Sequence, residues 1–206
     1  MKNPLSYQTT EYDCGPTTLI NAISFLFRRE EIPPEVIKHI MIYCLDAYNI
    51  KGEFGKSGTS RMAMLFLSEW LNQYSKTKKF PVQCEFLSSC EVTLAPGSRV
   101  VTALHQGAAV VLRVRYGCWH YVLLTGTEGD RAALFDPYYR KKPFTQAGIE
   151  MVSGKPCSMN RRVTFDTLNS TGHEFYATGP RETREAMILF DKRRHKPVTG
   201  EIEYFI

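Results

Sequence analysis

No stretch of this chain is apolar for long enough to cross a bilayer, which takes about 20 consecutive residues, and runs such as Ala22 to Phe27 are short or interrupted. The opening residues Met1-Lys2-Asn3-Pro4 carry no apolar core of a secretory signal. A cytoplasmic protein without membrane association is therefore expected. Paired C-x-x-C spacings are also missing. Cys14, Cys44, Cys84, Cys90, Cys118 and Cys157 are scattered, which argues against a zinc site, so neither a metal nor another cofactor is expected. Without an export signal these thiols are expected to stay reduced. Repeats and low-complexity segments are absent, which excludes a solenoid. A strong excess of one charge is lacking too, since 26 Lys and Arg face 21 Asp and Glu for a formal charge of +5. The basic runs Arg140-Lys141-Lys142 and Lys192-Arg193-Arg194-His195-Lys196 are short and no nucleic-acid module accompanies them, so nucleic acid is not an expected partner.

What remains is ordinary globular sequence. Its 206 residues, 43% hydrophobic and 23% charged, suffice for one well-buried domain spanning 1–206. Leu19, Ala22, Ile23, Leu26 and Phe27 share one face of a helix that begins near Cys14, with Pro16 in its first turn. After Pro33-Pro34 a second helix presents Val36, Ile37, Ile40, Met41, Cys44, Leu45 and Tyr48. A loop over Lys51 to Gly58 follows, and then a third helix from about Ser60 to Tyr74. Past residue 80 the pattern becomes that of strands. Val82, Cys84 and Phe86 alternate, and Ser98 caps a short helix to Gln106. Ala108 to Val114 forms a continuous buried strand, and Trp119 to Thr125 follows the Tyr116-Gly117 turn. The Glu128-Gly129-Asp130 turn leads to Ala132 to Phe135. Helices first and antiparallel strands later predict an α+β fold. The polar stretch 148–179 reads as an insertion or lid within the domain. Ala186 to Phe190 and Ile202 to Ile206 read as closing strands.

Chemistry concentrates in Gln8-Thr9-Thr10-Glu11-Tyr12-Asp13-Cys14-Gly15-Pro16. A cysteine at a helix start meets unpaired N–H groups and the positive end of the helix dipole. Both favour a thiolate below the free thiol pKa of about 8.5. A nearby glutamine can donate an N–H to a developing oxyanion. Asp13 is expected to cap the helix. Cys44 and Cys84 fall at apolar positions and read as structural. Cys118 lacks a helix N-terminus but is close to a histidine.

A cysteine nucleophile needs a base, and the base needs an orienting group. His39 lies beside an apolar helical stripe, His105 near a helix C-terminus, His173 in the irregular region and His195 in a basic run. His120 instead opens a strand, in Cys118-Trp119-His120-Tyr121-Val122. The following hairpin returns Asp136, in Phe135-Asp136-Pro137, to the same rim of the sheet. A carboxylate there can take the second imidazole N–H, fixing the tautomer and favouring the imidazolium. As a separate possibility, Asp136 only starts the Asp-Pro turn.

Gln8, Asp13-Cys14-Gly15, His120-Tyr121-Val122 and Asp136-Pro137, in that order and spacing, resemble the bacteriocin-processing peptidase family. These are papain-like cysteine peptidases that remove leader peptides after a double-glycine site. The resemblance covers Leu5 to about Tyr139. It implies a papain-like fold with the Cys14 helix packed on an antiparallel sheet, and a peptide or peptide-like substrate. It also implies Cys14 as nucleophile, His120 as general base and acid, Asp136 as orienting residue and Gln8 as oxyanion donor. The family's best-known members are amino-terminal domains of ATP-driven membrane exporters. This chain has no membrane segments and no G-x-x-x-x-G-K motif, and 148–206 has no assigned counterpart, so a stand-alone member is the nearer comparison. The expected activity is peptide or amide hydrolysis through a Cys14 thioester. Acyl transfer through the same thioester, or peptide binding without turnover, are the alternatives. Oligomeric state is not readable from the sequence.

Overall fold

The computed structural model describes residues 3–194, so His195 and the strand expected over Ile202 to Ile206 lie outside the described residues. Seven strands pair antiparallel in one sheet: β1 (Val82–Ser88), β2 (Ala109–Arg115), β3 (Trp119–Glu128), β4 (Arg131–Phe135), β5 (Ile149–Met151), β6 (Arg161–Thr164) and β7 (Glu185–Asp191). Their spatial order is β1-β7-β2-β3-β4-β6-β5. The helices are α1 (Cys14–Leu26), α2 (Pro34–Cys44), α3 (Arg61–Lys78), α4 (Arg99–His105) and α5 (Phe165–Asn169). The architecture is α+β, as the order of periodicities predicts. No helix among the described residues is long and apolar enough to cross a membrane.

The continuous apolar runs are explained by helices on both faces of the sheet. Val111, Tyr121, Leu123, Met187 and Leu189 belong to one core with residues of α1, α2 and α3. Their neighbours Val110, Leu112, Val122, Leu124 and Ile188 turn the other way, into a second core with residues of α4 and α5. Successive strand side chains point to opposite faces, so a strand covered on both sides cannot alternate polar with apolar residues. The β7 strand is buried along its whole length because it lies between β1 and β2, although it follows them in sequence.

Two expected boundaries move, for local reasons. The α2 helix ends at Cys44, before Tyr48, because Leu45 leaves helical geometry at φ −97° and ψ 62°. Asp46 then accepts the Ser60 backbone N–H at 2.9 Å, at the start of α3. Ser60 caps α3 by accepting from the Ala63 N–H. That helix runs on to Lys78 and stops at Lys79 in the left-handed region, φ 58°.

The stretch 148–179, expected as an insertion or lid, contributes β5, β6 and α5. The β6 strand pairs with β4, and β5 with β6. Val163 and Leu168 are fully buried. On the outer face Arg162 pairs with Glu150 at 3.0 Å and Arg131 with the same carboxylate at 3.4 Å. A short strand whose outward residues are charged has too little apolar periodicity to stand out from a loop.

Candidate active site

The segment before α1 is laced to the rest of the molecule by hydrogen bonds. Asn21 on α1 exchanges two with Ser6, at 2.8 and 2.9 Å. The Leu5 N–H donates to the Pro156 carbonyl and the Gln8 N–H to the Pro137 carbonyl, each at 2.9 Å. Asp13 does not cap α1 with its side chain. It folds back and accepts the Thr9 and Thr10 N–H groups at 3.0 and 2.8 Å, with the Thr10 hydroxyl at 2.8 Å. Its carboxylate therefore closes the 9–13 turn and leaves the first N–H groups of α1 without a side-chain acceptor. Cys14 is the first residue of that helix, where a backbone N–H has no intrahelical partner.

Gly15 lets the 57–59 loop approach. A Cβ there would lie 2.1 Å from the Thr59 hydroxyl oxygen and 2.7 Å from the Thr59 Cβ. The Thr18 hydroxyl donates to the Tyr121 carbonyl at 3.0 Å, which fixes α1 against β3 beside His120.

His120 is buried at the start of β3. Its Nε2 lies 2.8 Å from Asp136 Oδ1, and the residue lines one cleft with Cys14. With Nε2 held by the carboxylate, Nδ1 is the nitrogen left for the sulfur. Burial alone disfavours the imidazolium. The hydrogen bond to Asp136 and the charges of Asp136 and Cys14 outweigh it, and the His120 pKa is pushed up to about 10. Leu123 pairs with Phe135, so Asp136 leaves β4 at the end of the sheet where β3 begins.

Asp136 is completely buried and well supplied with donors. Its Oδ1 also accepts the Tyr138 N–H at 2.8 Å, so the Asp-Pro turn and the contact with His120 coexist. Its Oδ2 accepts the Tyr176 hydroxyl at 2.6 Å. Asn160 clamps the Asp136 backbone, accepting its N–H and donating to its carbonyl, both at 2.8 Å. Tyr176 is fully buried at φ 66°. Burial and the facing carboxylate raise its phenol pKa well above the usual tyrosine range, so it stays a donor. Sequence reasoning missed Tyr176 and Asn160. Both sit in the polar 148–179 stretch, and no spacing or local motif marks either one.

The Gln8 side chain lines the same cleft as Cys14. Its Nε2 donates to the Thr10 carbonyl at 2.7 Å, while its buried Oε1 has no hydrogen-bond partner among the described residues. An amide nitrogen carries two N–H groups, so one remains after the Thr10 bond. The cleft encloses about 610 Å³, with Tyr12, Tyr116, Trp119 and Tyr138 among its walls. Cys118 is exposed and borders it.

The other candidates lie elsewhere. His39 stacks on Trp70 at 4.3 Å, and its Nδ1 lies 2.7 Å from the Glu35 carbonyl. His105 contacts the Thr127 hydroxyl at 2.9 Å, and His173 does not line the cleft. Burial raises the Cys44 and Cys84 thiol pKa values above the usual thiol range, as structural thiols require. No group of three His, Cys, Asp or Glu donors suited to a metal occurs among the described residues.

No protein-family model matches the chain. No curated protein matches it significantly either. Among solved structures, one similar chain is a double glycine motif protease from an AMS/PCAT transporter, crystallised in complex with the leader peptide. It shares 12% identity at a TM-score of 0.44, over 91% of this chain and 89% of that one.

Proposed function

We propose that this chain is a papain-like cysteine peptidase that hydrolyses a peptide or amide bond through a thioester on Cys14. The observation that carries the reading is the buried imidazole of His120, bonded to Asp136 through Nε2 and lining one cleft with Cys14 and Gln8. Cys14 lies at a helix start, His120 near the start of β3 and Asp136 just past the end of β4, so all three come to one end of the sheet. An imidazolium facing the sulfur pairs with a thiolate, the nucleophilic form.

In the first half-reaction the thiolate attacks the scissile carbonyl. The new oxyanion is met by the Cys14 backbone N–H and the second N–H of Gln8. His120 gives its proton to the leaving amine, and the thioester forms. In the second half His120 takes a proton from water, the hydroxide attacks the thioester, and the acid leaves as the Cys14 thiolate is regenerated beside the protonated ring. Asp136 holds the ring in the required tautomer throughout, with Tyr176 and Asn160 holding Asp136. The open cleft and its aromatic walls suit an extended peptide as substrate. An amine in place of water would give acyl transfer from the same thioester, and product analysis with added amines separates the two outcomes.

The reading is tested by intact-mass labelling with a peptide electrophile, followed by mapping of the adduct. One adduct on Cys14 is expected, unchanged in Cys118→Ala, absent in Cys14→Ala and much slower in His120→Ala. Labelling that persists in Cys14→Ala and disappears in Cys118→Ala would move the nucleophile to Cys118. Equal labelling of wild type and His120→Ala would remove the base from the scheme.

A further inference from the structure

We propose that a second cavity, between the N-terminal segment, the end of β4 and the 151–161 stretch, binds a ligand carrying a free carboxylate on an apolar body. The cavity encloses about 420 Å³, within the range of small-molecule sites. Leu5, Tyr7, Phe135 and Met159 give it apolar walls. Its charged lining is of one sign, from Arg140, Lys155 and Arg161, and no Asp or Glu lines it.

Arg161 is the decisive group. It is 3% exposed, yet only one of its guanidinium nitrogens is used, with Nη1 donating to the Asn160 carbonyl at 2.7 Å. Its Nε and Nη2 have no hydrogen-bond partner among the described residues. The Phe144 ring lies 5.8 Å from the guanidinium carbon, but a ring face does not occupy in-plane N–H donors. A buried cation with unused donors is costly to fold, and the missing partner should be anionic.

The geometry specifies which anion. Nε and Nη2 form one edge of the guanidinium, with parallel N–H groups spaced to meet the two oxygens of a carboxylate. The same edge does this twice elsewhere in the molecule. Arg99 presents Nε and Nη2 to Glu85, and Arg193 presents Nε and Nη2 to Asp191. On Arg161 that edge is buried and unpaired, and the residue lines a cavity with no carboxylate of its own. The apolar walls favour an organic acid over a bare oxyanion such as phosphate. Through Nη1 and Asn160, the occupant is one residue removed from the clamp on Asp136.

The site does not depend on chemistry at Cys14, so it is tested in full-length Cys14→Ala as well as wild type. Calorimetric titration compares octanoate and N-acetyl-leucine with their uncharged amides and with inorganic phosphate. One or both acids should bind saturably, with the amides at least about tenfold weaker. The stronger acid shows whether a lipid-like chain or a peptide carboxy-terminus is preferred. Arg161→Lys keeps the charge but loses the fork, and should weaken the acids by about tenfold. Hydrogen exchange should show protection at 5–7 and 151–161. The proposal is overturned if neither acid binds up to about 10 mM, or if amide or phosphate matches acid. Unchanged affinity in Arg161→Lys, or protection confined to the Cys14 cleft, would also overturn it. Should Arg161→Lys fail to fold, the acid-against-amide comparison on wild type still decides.

Discussion

His120 is where structure turns into pH dependence. Its pKa is raised from the ordinary 6.5 to about 10. A raised folded-state value means that the protonated ring adds stability in full below about pH 6.5, and that this contribution is lost as pH rises through about 10. Asp136→Asn removes the facing charge, so a ¹⁵N titration of the ring should show the imidazolium lost at lower pH than in wild type. An unchanged titration would show that Asp136 does not hold the proton there. Turnover should drop by about 10³- to 10⁴-fold, the scale on which a misoriented imidazole fails in comparable triads. Tyr176→Phe is the subtler case. It removes one hydrogen bond to a buried carboxylate, which costs about 2 kcal/mol of stability. It should lower kcat by about tenfold with little change in KM, since Tyr176 acts on substrate only through Asp136 and His120. Cys14, His120 and Asp136 could be picked out of the sequence because each sits at a recognisable break: a helix start, a strand start and an Asp-Pro turn. Tyr176 and Asn160 could not, because they reach Asp136 from 40 and 24 residues away without a local signature.

Single elements show the same division. The α1 helix was readable from its apolar face and its early proline, and β2 and β3 from their unbroken apolar runs. The end of α2 was not, because Leu45 leaves helical geometry just before Asp46, whose carboxylate is engaged by Ser60 from 14 residues further on. Similarly, Asp13 has the side chain of a helix cap but is drawn into the 9–13 turn by three closer donors. At the start of α1 the fit is tight enough to predict a single-methyl effect. Gly15→Ala forces a Cβ against Thr59, whose Cβ is backed by the loop that borders the cleft. Overpacking of this kind costs about 1–3 kcal/mol. The strain falls on the residue after Cys14, so the labelling rate with a peptide electrophile should fall more than the melting temperature suggests. Removing the opposing side chain in Gly15→Ala/Thr59→Gly should restore most of it. Failure of that rescue would place the strain elsewhere.

At the scale of the whole molecule the last third of the chain completes the sheet. The β7 strand sits between β1 and β2, so neither interior edge is paired until residues 185–191 arrive. The β6 strand covers the outer edge of β4. Tyr176, from the loop after α5, reaches the carboxylate that holds the candidate base His120, and its N–H donates to the Arg115 carbonyl at 2.8 Å. A lid would exchange its amide protons quickly and leave the fold unharmed when shortened. These contacts predict the reverse. In native-state hydrogen exchange the β6 and Tyr176 amides should be protected nearly as well as those of β3. Replacing 148–179 with a flexible Gly-Ser linker should abolish the cooperative unfolding transition, because it exposes the β4 edge and the second core together. A linker variant that melts cooperatively near the wild-type temperature would show that the stretch is dispensable, and Asp136 would then have to be held without Tyr176 and Asn160.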